Sequence, residues 1–405
     1  MLSILHPSVM RKVHELSIGL LPVTIKGDSI PKLIVKTSKE AILTAKVRQG
    51  FLIYLIPYEI PGVRSLAFLA AFFDDQRHPY TSGGALIKEL MAKDFSLLFQ
   101  SPIVDVHFFD ELGREMLAYR TEFHSTKRHK DMLRGAVIPS IEGLNQSLIL
   151  NRITEWFRFS SEVDDASAIK VTFTESLMPD DIIYFDMRPD AHDYHGSAGF
   201  SSAPLERSEP GPFQEKEIVA LLQRTFKSKE IYLAPLRVND KEEVVDILVV
   251  TARSAILIQA KDNQNLESTL NKTIEKKRNA TKKALKGGLG QVKGAIGYLK
   301  RTVPLVFLID GKEVEVDLTD KRIYALVVLR ELFDDDYDEY TPPMLEVYKA
   351  TGVACIPLSY TELHQYTRFI EGDEHFYEAF NKVFSHGLET GMFPRLRVHP
   401  PGAKF

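Results

Sequence analysis

The sequence predicts an α/β protein of two units: a mixed α/β domain over residues 1–190 and a second α/β domain over residues 213–405, joined by a linker over 191–212. Three observations point there. Apolar runs of strand length alternate with segments of helical spacing along the chain. The stretch Met187 to Phe213, MRPDAHDYHGSAGFSSAPLERSEPGPF, concentrates Pro, Gly and Ser with little periodicity, as a linker or long surface loop does. A chain of 405 residues with 44 % hydrophobic content can bury two cores.

In the first domain PKLIVKT, FLIYLIP, SLAFLAAFF, PIVDVHFF and EMLAYRTEF read as strands, with helical stretches around Gly84 to Asp94 and Leu144 to Phe159. Hairpins should dominate. The residues leave its task open between recognition of a substrate, a partner protein or a second copy of the chain.

The second domain begins with QEKEIVALLQRTF, Gln214 to Phe226. It follows a Pro-Gly-Pro stretch, carries Ile218, Leu221 and Leu222 at helical spacing, and has acids where a first turn complements the macrodipole. Glu215 precedes Ile218 and Leu222 by three and seven residues, which puts it on the buried edge of the helix. Glu217 has a competing claim through Leu221; the face favours Glu215.

Next comes VVDILVVTARSAILIQAKD, Val244 to Asp262, two Val/Ile/Leu-rich halves broken only at Thr251 to Ser254. This predicts a β-hairpin. If Ala252 and Arg253 form the loop, Thr251 faces Ser254, Val250 faces Ala255, and counting outward Asp246 faces Gln259. Side chains alternate along a strand, so Gln259 and Lys261 share a face while Ala260 points away. A longer loop with the same pairing keeps the cluster of Asp246, Gln259 and Lys261; a slip by one residue destroys it.

Lys272 to Arg301, KTIEKKRNATKKALKGGLGQVKGAIGYLKR, holds ten Lys or Arg and one acid, Glu275, in a chain whose net charge is −4. Such an excess can neutralise phosphates, with binding that falls steeply with salt. Gln291, Ala295 and Leu299, with Val292 and Ile296 beside them, let a helix face the sheet while Lys276, Lys277, Lys282, Lys283, Lys286 and Lys293 stay outside. Gly287, Gly288 and Gly290 should break the segment into two helices. Beyond it, IYALVVLRE reads as a strand, DDDYDEY as an acidic loop, and Tyr360 to Phe384 as one or two closing helices.

A helix with Glu, a strand, a strand with Asp, a strand with Gln-x-Lys and a basic helix, over residues 212–332, resemble the PD-(D/E)xK nuclease superfamily, particularly its Mrr-like and NERD (nuclease-related) branches. The resemblance implies a restriction-endonuclease-like αβββαβ core in which Glu215, Asp246, Gln259 and Lys261 match the family's acid, acid, acid-or-Gln and Lys. Gln259 stands where most members have Glu, which resembles the Mrr-type pattern and removes one negative charge. The resemblance also places Gln291 close to the active site, and it suggests bacterial restriction or anti-phage defence.

The chemistry suits those residue types. Phosphodiester hydrolysis uses a divalent cation, Mg²⁺ or Mn²⁺, to polarise the phosphoryl oxygen and activate water, and such ions take oxygen ligands. Glu215 and Asp246 would supply carboxylates, Gln259 and the Ala260 carbonyl neutral oxygens, and Lys261 a charge against the developing anion. The expected substrate is DNA in preference to RNA, since nothing reads a 2′-hydroxyl. The alternative is a nucleic-acid-binding or regulatory module that retains the nuclease fold without catalysis.

Other signals carry less. Each piece of the motif has an ordinary reading when taken singly: a solvated strand end for Lys261, a helix-start acid for Glu215, a solvated face for the lysines. PDAHDYH, Pro189 to His195, lacks a second pair of metal ligands and reads as hydrated linker. HSTKRHK, His124 to Lys130, reads as a solvated loop. FFDD at Phe72 and FFDE at Phe108 read as strands entering acidic turns. Cys355 in VACIPL reads as a small core residue, and one cysteine excludes an internal disulfide and suits a reducing cytoplasm. Neither a signal peptide nor a membrane span is expected, nor a Walker-type loop.

Overall fold

The computed structural model describes residues 1–60, 63–74, 78–86, 89–138, 146–270, 272–333 and 336–393. Short helices α1 (Leu2–Leu5) and α2 (Met10–Glu15) precede β1 (Gly19–Val23) and β2 (Lys32–Lys36). Helix α3 (Lys39–Arg48) follows, its first turn capped by Ser38 Oγ, which accepts from the Ala41 amide. Then come β3 (Gly50–Ile60), β4 (Val63–Phe72), β5 (Tyr80–Ala85), α4 (Glu89–Gln100), β6 (Ile103–Phe109) and β7 (Glu115–His124). Helices α5 (Lys127–Gly135), α6 (Gln146–Arg158) and α7 (Glu162–Ser167) lead to β8 (Ile169–Ser176).

These strands form one sheet in the order β1-β2-β6-β7-β8-β3-β4-β5, in which β2 and β6 are parallel and the other pairs antiparallel. It curls until β5 meets β1, where a Cβ on Gly19 would stand 3.4 Å from the Gly83 carbonyl oxygen. Leu33, Val35, Phe68, Phe95 and Phe108 fill the curl. Gly84 belongs to β5 and not to the expected helix, because Gly83 and Gly84 pair with Leu69 and Phe68 of β4. Helix α4 starts later, at Glu89; Ile87, Lys88, Leu144 and Asn145 of the expected helical stretches lie outside the described residues. His124 to Lys130 is not a loop throughout, since Thr126 caps α5 and His129 is buried.

The expected linker is packed. The hairpin of β9 (Tyr184–Asp186) and β10 (Ser201–Ala203) takes in its first part. Tyr194 enters the core of the C-terminal half, Leu205 enters the N-terminal core, and Arg207 is 1 % exposed. Gly196 and Gly199 take left-handed backbone at the turns of this stretch.

The C-terminal half opens with α8 (Gly211–Leu222), which starts three residues ahead of the expected Gln214 and places no acid in its first turn. Next are β11 (Ile231–Leu233), β12 (Leu236–Arg237), β13 (Ile247–Val250) and β14 (Ser254–Lys261). A single 28-residue helix, α9 (Ile274–Arg301), leads to β15 (Val306–Ile309), β16 (Lys312–Glu315) and β17 (Arg322–Leu329). Helix α10 (Tyr337–Thr351), β18 (Ala354–Ser359), α11 (Tyr360–Phe369) and α12 (Asp373–Thr390) close the chain. The main sheet runs β11-β13-β14-β17-β18, antiparallel up to β14 and parallel from β14 to β18. Cys355 is fully buried on β18, and burial pushes its thiol up. Among the described residues no helix is long and apolar enough to cross a membrane.

The three glycines expected to break α9 do not. Gly288 faces the sheet, where a Cβ would lie 2.9 Å from Val327 Cγ1 and 3.4 Å from Lys261 Cγ. Its hydrogen lets helix and strands approach, and the packed interface outweighs its poor helix propensity of about 1 kcal/mol. Of the acidic segment after β17, Asp334 and Asp335 lie outside the described residues, and Tyr337 to Tyr340 form the first turn of α10 instead of a loop.

Buried charges join the two halves. Glu217 of α8 meets Lys39 of α3 and, at 2.6 Å, Arg114. Arg330 donates two 2.6 Å hydrogen bonds to Glu40 and stands 3.4 Å from Glu111. Arg207 lies 3.2 Å from Asp262 and 3.5 Å from Glu40. The acids after Phe72 and Phe108 therefore do more than end strands: Asp74 pairs with Lys277, and Asp110 with Arg114 at 2.6 Å.

Candidate active site at the β13–β14 hairpin

The hairpin pairs Val250 with Ala255 and Ile247 with Ile258, and the Thr251 amide donates to the Ser254 carbonyl at 2.9 Å. Ala252 and Arg253 form the turn. This is the register in which Asp246, one residue before β13, stands across from Gln259. The Asp246 carboxylate accepts the Ala260 amide at 2.6 Å, and the Asp246 carbonyl accepts the Ala234 amide at 2.8 Å. Asp246 is thus fixed at the edge of β14 by backbone groups on both sides. It is 7 % exposed and Gln259 2 %.

Helix α8 brings Glu215 to the same place. The gap between the two acids of its sequence is settled by their surroundings. Glu217 is held below the usual carboxylate range despite its burial, because Lys39, Arg114 and Arg207 surround it. Glu215 instead faces Asp246 and Lys261; burial and the Asp246 charge push its carboxyl up to about 7, with Lys261 opposing. Glu217 is a joint between the two halves.

Glu243 was not among the residues expected here. Although much of this residue is open to solvent, its carboxyl reaches hydrogen-bonding range of Asp246. Partial burial, that hydrogen bond and the charges of Asp246 and Glu215 push it up to about 8. The signal was present as EEVVD, but Glu243 precedes β13 at an isolated bridge to Leu236, where strand alternation no longer predicts which way a side chain points.

Lys261 ends β14 with its stem against Gly288 of α9, and its carbonyl accepts the Arg330 amide at 3.1 Å. Three carboxyls and one ammonium thus lie near one another; burial is the first cause of both raised values, and the Asp246 charge adds to each a repulsion that a divalent cation would relieve. The donor set, carboxylates with a buried amide, fits Mg²⁺ or Mn²⁺. Among the described residues, however, no three His, Cys, Asp or Glu side chains form a group ready to hold a metal ion, so ligation would require the Glu215 or Glu243 side chain to move.

The basic helix divides in two. Lys277 is tied to Asp74, Lys282 to Glu339, and Arg278 stands 3.7 Å from Asp336. Lys276, Lys283, Lys286 and Lys293 are exposed. Gln291 is exposed too, while Ala295 and Leu299 are buried, so it does not share their sheet-facing stripe as its spacing suggested. No protein family, curated protein or solved structure matches the chain.

Proposed function

We propose that this protein is a metal-dependent nuclease that hydrolyses phosphodiester bonds of DNA. The observation that carries the reading is the convergence of Glu215, Asp246, Glu243 and Lys261 beside Gln259, at the end of a hairpin covered by a lysine-bearing helix. With β12, β15 and β16 set apart in their own small sheet, the remaining order α8, β11, β13, β14, α9, β17 supports a restriction-endonuclease-like αβββαβ core. Glu215, Asp246, Gln259 and the Ala260 carbonyl would hold Mg²⁺ or Mn²⁺, which supplies Lewis-acid activation when bound. Lys261 would offset charge on the phosphoryl oxygens, and the exposed lysines of α9 would hold the phosphate backbone. A role in bacterial restriction or anti-phage defence rests on resemblance of motif and element order alone.

The test incubates purified protein with plasmid, linear DNA and RNA in Mg²⁺, Mn²⁺ or EDTA, beside Asp246→Ala and Lys261→Ala. Metal-dependent cutting lost in both folded variants is the expected result. Cutting that survives both substitutions would move the chemistry elsewhere. Salt-sensitive binding without scission in any metal would favour the inactive nucleic-acid-binding module.

A further inference from the structure

At the seam between the two halves, away from the hairpin site, a cavity of about 380 Å³ is lined by His14, Lys36, Glu111, Arg224, Arg368 and Glu371, with a few apolar neighbours. Three cations therefore face one space from three elements: Lys36 ends β2, Arg224 follows α8, and Arg368 lies in the last turn of α11. Among the described residues none of the three forms an ion pair within 4.0 Å with a carboxylate. Their bonds go to neutral groups. Lys36 Nζ donates to the carbonyls of Val13 at 3.0 Å and Leu16 at 2.8 Å. Arg368 Nη2 donates to the carbonyls of His14 at 2.6 Å and Glu15 at 2.8 Å, and Arg224 Nη1 reaches His364 Nδ1 at 3.2 Å and its carbonyl at 3.4 Å.

These bonds leave donors over. Each guanidinium has five N–H groups in a rigid fork and a lysine has three, so Arg224 and Arg368 retain most of theirs and Lys36 one. The lining acids offset the cluster only in part. Glu111 is engaged with Arg330, and burial pushes its carboxyl up to about 7; Glu371 is exposed. Burial lowers Lys36 to about 8; the charges of Arg368 and Arg224 add to this, and those of Asp110 and Glu111 oppose it. His14 is also lowered, by burial and then by Lys36 and Arg368. Lys36 is buried, Arg368 is partly buried and Arg224 is exposed at the rim, so the like charges meet at the mouth of the space, where a bound anion would relieve their repulsion.

We infer that this cavity is a binding site for a small phosphate-bearing molecule, held by Lys36, Arg224 and Arg368. Two arginine forks and an ammonium favour phosphate over a single carboxylate, because the forks match its geometry and its second charge. The volume admits a small organic phosphate and is too small for a nucleic-acid strand; ligand pockets commonly run from about 300 to 1,000 Å³. The site lies just beyond the end of α8, whose opposite half carries Glu215, so an occupant would bear on the helix that serves the hairpin site.

The experiment titrates the full chain with inorganic phosphate, pyrophosphate, AMP and malonate, in EDTA, by calorimetry and thermal denaturation. This makes it independent of any nuclease activity. The phosphate probes are expected to bind and raise Tm, with malonate far weaker. Arg224→Gln and Arg368→Gln should each weaken pyrophosphate by about tenfold or more, the scale of one charge-assisted hydrogen bond. Arg224→Lys, which keeps the charge, should lose less. Absence of binding at millimolar probe overturns the inference, as does malonate binding equal to pyrophosphate. Undiminished binding in both glutamine variants overturns the location. Should those variants unfold, the wild-type probe series and Arg224→Lys still decide.

Discussion

Replacing Arg330 by Met tests whether the buried ion network holds the two halves together. Arg330 is 8 % exposed, donates two 2.6 Å bonds to Glu40, lies 3.4 Å from Glu111 and sits 4.9 Å over the Tyr360 ring. Methionine keeps much of the stem, so packing changes little and the charge is what is lost. Glu40 would be left with Arg207 at 3.5 Å, and Glu111 would lose its nearest cation. Removing one partner of a buried pair costs about 3–5 kcal/mol. The loss should also depend on pH. Glu111 is raised in the fold to about 7, burial being the cause and Arg330 the main opposing charge. A raised carboxyl contributes stability below its unfolded pKa that disappears as pH rises through the folded one. Without Arg330 the folded value climbs further, so the variant should lose more stability at pH 8.5, where Glu111 ionises in the wild type, than at pH 5.5. Urea denaturation at both pH values, with Glu40→Met and the double variant, measures this. A loss below about 1 kcal/mol at both pH values, or a larger loss at pH 5.5, would refute the reasoning.

The remaining predictions concern the hairpin site. With Glu215 raised to about 7 and Glu243 to about 8, the metal-free protein should lose stability as pH rises through that window. Mg²⁺ should then raise Tm at pH 8.5 and hardly at pH 5.5, and Asp246→Asn should abolish the difference; scanning fluorimetry in Mg²⁺ and EDTA reads both, and equal shifts at the two pH values count against the site. Gly288→Val should destabilise by about 1–3 kcal/mol through overpacking and displace Lys261, lowering scission beyond any loss of fold, measured by urea melts beside a plasmid assay. Alanine at Lys276, Lys283, Lys286 and Lys293 together should flatten the salt dependence of DNA binding. Lys277→Ala with Lys282→Ala should change binding less and cost stability, since those two are spoken for by Asp74 and Glu339; a filter-binding salt series that ranks the two sets the other way would contradict the division of the helix.

Much of the site geometry was legible because it is local. The polar break at Thr251 to Ser254 sets the hairpin register, and the period of two then brings Asp246 opposite Gln259. Glu243 was not legible, because it leaves the strand before alternation can assign it a face. Helix continuity through Gly287, Gly288 and Gly290 failed for the opposite reason: propensity argues for a break, while the close approach of α9 to Val327 and Lys261 depends on residues that only meet in the fold.

Charge composition misled in the same way. Counting lysines along α9 gave one basic face, yet Lys277 and Lys282 are paired with acids 203 and 57 residues distant in sequence, from 74 and 339. What the chain determined by itself was the succession of acid-bearing helix, hairpin and basic segment, together with the hairpin register, both fixed by side-chain period over a few residues. What only the tertiary structure decided was which charges cancel and which remain. That the stretch from 191 to 212 is packed, that Glu217 joins the halves while Glu215 faces Asp246, and that Lys36, Arg224 and Arg368 meet around one cavity all follow from burial and long-range electrostatics. Those terms depend on distance in space, to which spacing along the chain gives no guide.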